Sequence, residues 1–145
     1  MVRGVKLAAL AWLAAAVLVP AAANADLLSF RVHLTGAAEV PPVTTDAKGS
    51  AIAGYDSATK EFTWVINYSG LSGPVTAAEF HGPAAKDATA PLMFAISGDL
   101  ASPLKGSAKL TDDQAKALAD GLLYINLMTA AHPDGEIRSQ VIPST

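Results

Sequence analysis

Leu122–Val141, reading LLYINLMTAAHPDGEIRSQV, decides the fold. Leu122 to Thr129 is apolar on both alternating faces, the pattern of a strand covered on each side. Ala130 to Gly135 supplies turn chemistry, because Pro133 fixes φ and Asp134-Gly135 favours positive φ. Glu136 to Ile142 resumes as a strand, so the stretch predicts a central hairpin with His132 at its tip and Met128 just before it.

Working outward, most of the chain repeats the two-residue period. Leu28, Phe30, Val32 and Leu34 share one face, while Ser29, Arg31 and His33 share the other, which sends His33 to solvent. Gly49 to Tyr55 reads as a second strand. Asp56 to Lys60 is a five-residue loop into Glu61–Tyr68, where Phe62, Trp64, Ile66 and Tyr68 point inward. Val75 to His81 puts Glu79 and His81 on one face, with Ala78 and Phe80 packing on the other. Leu92–Ser97 and Leu104–Leu110 are two further short strands. Between the first two strands, Pro41 and Pro42 lack amide donors, so Gly36–Thr45 is an edge or loop and not an inner strand. One helix is predicted at Asp112–Asp120, because Thr111 with Gln114 forms a capping box and Gly121 can close the far end. Together these elements predict an all-β, antiparallel Greek-key β-sandwich of about eight strands, with one short α-helix near residues 111–121.

The first 25 residues have a different character. Arg3 and Lys6 precede an apolar run from Leu7 to Val19, and Ala23-Asn24-Ala25 is a small-residue cleavage site. That is the pattern of a secretory signal peptide, and its thirteen apolar residues fall short of the roughly 20 needed to cross a bilayer. The expected mature chain is a single domain, residues 26–145, that is periplasmic or secreted after cleavage following Ala25. It has no membrane span of its own. Without Arg3 and Lys6, eight basic residues face thirteen acidic ones, a net charge of −5. This balance gives no electrostatic reason to bind nucleic acid. The chain has no cysteine, so disulfides, thiolate metal sites and cysteine nucleophiles are excluded.

Three separated motifs carry a family resemblance: EVPPV at Glu39–Val43, GLSGPVTAAEFHGPA at Gly70–Ala84, and GLLYINLMTAAHPDGEIRSQV at Gly121–Val141. In this order they resemble the CHRD domain, named for chordin. The resemblance implies a secreted or periplasmic β-sandwich without an established general activity. The family tends to carry histidine where Glu79 and Met128 stand here, so the resemblance also implies a His-x-His pair ending at the position of His81, which this chain lacks.

Three classes of function follow. The first is a noncatalytic binding or interaction module of the cell envelope, with an envelope protein as partner, since no nucleophile elbow, phosphate loop, dinucleotide fingerprint or HExxH motif is present. The second is copper handling: His81, Met128 and His132, with Glu79, form an imidazole and thioether set that suits copper better than zinc or calcium. The third is a hydrolase using Glu39, Glu79 or Glu136 as acid or base. Glu136 and Arg138, two residues apart, are read either as a grip on an anionic partner or as an ion pair that fixes register. Asn126, on the face of Tyr124 and Met128, is expected to orient a neighbour or to satisfy loop backbone.

Overall fold

The computed structural model describes residues 14–19 and 24–145. Apart from 14–19, 24 and 25, the leader expected over residues 1–25 lies outside the described residues. The elements are β1 (Leu27–Thr35), a 3-10 turn (Gly36–Ala38), β2 (Lys48–Asp56), β3 (Glu61–Ser69), β4 (Val75–His81), β5 (Leu92–Ala95), β6 (Leu104–Lys109), α1 (Asp112–Ala119), β7 (Leu123–Thr129) and β8 (Ile137–Val141). All eight strands belong to one antiparallel sheet in the order β5-β4-β7-β8-β1-β2-β3-β6.

The sheet curls until its two halves face each other. Phe62 and Trp64 of β3 meet Phe80 of β4 at 5.4 and 5.0 Å between ring centroids, and Trp64 reaches Phe94 of β5 at 5.9 Å. These tilted and edge-on contacts are the geometry that aromatic quadrupoles favour. The alternation seen in the sequence holds: Phe30, Val32 and Leu34, then Phe62, Trp64 and Ile66, then Ala78 and Phe80, are all buried on the inner face. Gly106, which pairs with Trp64 across the β3/β6 ladder, has no room for a side chain, because a Cβ there would stand 2.8 Å from the indole ring.

The helix ends as its capping residues require. Thr111 Oγ1 accepts from the Gln114 amide at 3.2 Å, and Gln114 Oε1 accepts from the Thr111 amide at 3.0 Å. Gly121 closes the other end at φ +71°, and the fully buried Leu118 plugs the adjoining end of the core.

Every residue of β7 is buried. Its inner face, Leu123, Ile125 and Leu127, enters the core. Its outer face is covered by connecting segments and not by a second sheet. The seam between β8 and β1 is thin: one ladder pair, Thr35 with Arg138, one isolated bridge between Phe30 and Pro143, and a Ser144 amide donating to the Ser29 carbonyl at 2.7 Å.

Candidate functional site

Strand register places a polar ladder on the outer face of the sheet. Glu79, Asn126 and Arg138 form one row across β4, β7 and β8, and His81, Tyr124 and Gln140 form the next. Cross-strand partners share a face, so the six side chains are neighbours. An outer face would normally meet water, but here the segment from Gly82 to Pro91 folds over it.

The ladder holds that segment by its backbone. The Ala90 amide donates to the Tyr124 hydroxyl at 3.1 Å, and that hydroxyl lies 3.2 Å from the Ala90 carbonyl. The same carbonyl is 3.0 Å from His81 Nδ1. Gln140 Nε2 donates to the carbonyls of Ala84 and Gly121 at 2.7 and 2.8 Å, and Arg138 Nη2 donates to the Ala88 carbonyl. Rings stack beneath these bonds: Tyr124 lies parallel to His81 at 5.0 Å, and the Arg138 guanidinium sits 3.5 Å from the Tyr124 centroid. A cation on a tyrosine face contributes roughly 0.5–1 kcal/mol when exposed and about 2 kcal/mol when desolvated.

A second cluster forms at the far end of β7. Glu136 is fully buried just before β8, and the Ser72 amide lies 3.1 Å from both of its oxygens. His132 Nε2 lies 3.6 Å from the same carboxylate. The backbone of His132 closes the turn with Thr129 and Gly135. Glu136 therefore turns to Ser72 and His132, while Arg138 turns to Tyr124 and Ala88. Among the described residues no carboxylate forms the register-fixing ion pair with Arg138, because both side chains, Glu136 and Arg138, meet partners contributed by loops.

Glu39 lies between the clusters, only 6% exposed. Burial pushes its carboxyl up to about 7, against the opposing pull of Arg138. Its Oε1 and Asn126 Oδ1 are buried acceptors without hydrogen-bond partners. Both crowd Gly135, where a methyl group would overlap them. Asn126 Nδ2 donates to the Asp134 carbonyl at 2.9 Å, which is the expected satisfaction of loop backbone. The sequence offers one clue to Glu39, a lone acid within the apolar, proline-bearing Gly36–Val43 segment.

The proposed copper ligands are not brought to one point. His81 sits beside Tyr124 and Met128 beside Ala77, so the two lie four residues apart along β7, about 13 Å at strand rise. His132 follows in the turn beyond Thr129. A shared ion needs donors about 2 Å from one centre. Both ring nitrogens of His81 also face oxygens within the protein, since Nε2 lies 2.7 Å from Glu79 Oε2. Among the described residues, no three His, Asp or Glu side chains are grouped to hold a metal ion. The three carboxylates of the hydrolase reading have different partners: Glu79 is engaged with His81, Glu136 with Ser72, and Glu39 is buried beside Gly135. His33 is exposed, as its strand phase predicts.

A family model for the CHRD domain matches residues 30–141. The chain belongs to the CHRD domain family. The match spans all eight strands except the first few residues of β1, and it contains every side chain of the polar ladder. No curated protein and no solved structure matches the chain. Positions 79 and 128, where the resemblance implies histidines, carry Glu79 and Met128, on the same outer face as His81.

Proposed function

We propose that this CHRD domain is an exported, noncatalytic binding module whose working surface is the Gly82–Pro91 segment and the ladder beneath it. One observation carries the reading. Tyr124, His81, Arg138 and Gln140, contributed by three strands, are all committed to backbone groups at Ala84, Ala88 and Ala90. Side chains that transfer protons or ligate metals need a free lone pair or a free proton directed at a substrate. Here they fix the shape of a surface, which is what preorganised recognition requires. Its residues Ala85 to Thr89 remain exposed around Lys86.

Site-specific photocrosslinking in the native envelope tests this, with the crosslinker at Lys86 and, in a second protein, at Lys109 on the opposite sheet edge. A discrete adduct from position 86 and none from position 109 is the expected result. An adduct only from 109 would move the surface elsewhere, and none from either position would overturn the binding reading.

A further inference from the structure

Arg138 is only 3% exposed, and among the described residues no carboxylate forms a salt bridge with it. Its charge is eased by the Tyr124 ring on one side and the Ala88 carbonyl on one amino group. A guanidinium has five N–H donors, and a desolvated cation is costly unless paired. Glu39 is the acid that Arg138 feels, yet its raised pKa leaves it about half protonated near neutral pH.

Beside this cation the thin β1/β8 seam opens into a cleft of about 650 Å³. Arg31 and His33 line it from the outer face of β1, Lys86 lines it from the pinned loop, and Arg138 reaches it from β8. Asp87 is the one acidic side chain on its wall. In a mature chain of net charge −5, three permanent cations around one cleft run against the overall balance. The ladder also holds the guanidinium in place, so a ligand would not have to order it.

We propose that this cleft binds an oxyanion, a carboxylate or phosphate group, with Arg138 as the anchoring fork and Arg31 and Lys86 guarding the mouth. The inference rests on the binding-module reading and gives the chemistry of what is bound. An arginine fork matches two oxygens of either group in bidentate fashion.

Two-dimensional amide NMR of the whole mature chain, titrated separately with inorganic phosphate and with acetate against chloride at equal ionic strength, provides the test. Saturable shifts confined to Arg31–His33, Lys86–Ala88 and the Arg138 side chain are expected from at least one oxyanion, and the responding anion identifies the group. The double variant Arg31→Ala/Lys86→Ala alters exposed side chains only and should weaken binding about tenfold, roughly 1.4 kcal/mol. Arg138→Lys keeps the charge and loses the fork, so it should weaken acetate more than phosphate; if that variant does not fold, the double variant decides. Shifts no larger than those from chloride, or affinity unchanged in the double variant, would overturn the proposal. If the Lys86 crosslink survives that outcome, only the oxyanion assignment falls; if both fail, the module reading falls with it.

Discussion

Glu39 ties acidity to folding. Its carboxyl titrates near 7 in the folded chain and near 4.5 when unfolded, so between those values the native state holds a proton that the unfolded state has released. Stability should therefore fall as pH rises from about 4.5 through about 7, by up to about 3 kcal/mol, since each pH unit between the two values costs about 1.36 kcal/mol. Urea unfolding of wild type and Glu39→Gln at pH 5 and pH 8 checks this: the wild type should lose stability at the higher pH, and the variant should lose much less. The neighbourhood explains why the sequence hides the effect. Glu39 is buried by residues that follow it at a distance, Gly135 and Asn126 among them, and no local period shows that contact. The same holds for Glu136 and Arg138, whose partners Ser72 and Ala88 are 64 and 50 positions away. Alternation shows which face each residue takes; it does not show what the residue meets there.

Single elements are far more legible. Strand phase alone places Trp64 inward, and the structure surrounds it with Phe62, Phe80 and Phe94. Trp64→Ala should cost about 3–5 kcal/mol in chemical denaturation, the range for large aromatic truncations in a core. A loss below about 1 kcal/mol, the size of a single buried methyl deletion, would contradict the packing. The capping box of α1 is equally readable, because both of its partners lie within one helical turn. The apolar pattern of β7 correctly implies cover on two sides, but the cover on its outer face is a loop pinned by hydrogen bonds. Apolar content does not distinguish a loop lid from a packed sheet.

For the whole molecule, the curled antiparallel sheet follows from strand segments, most of them alternating, with turn residues between them. The closure of β3 onto β4 and β5 is long-range and is not encoded in any one segment. The expectation of export belongs to this scale too. No helix among the described residues is long and apolar enough to cross a membrane. If the leader is cleaved as its small-residue site implies, mass spectrometry of the protein recovered from its native compartment should find Asp26 at the N-terminus; a chain that still begins at Met1 would refute it.

The thin seam has a further consequence. The first and last strands of the domain lie side by side and antiparallel, and Ser144 bonds to Ser29 across them. The backbone thus arrives and departs at one corner, separated by a single hydrogen bond. A unit built this way can be spliced into a surface turn of another protein, or strung between neighbours, without stretching its host, since the gap it must bridge is no wider than the gap between two paired strands.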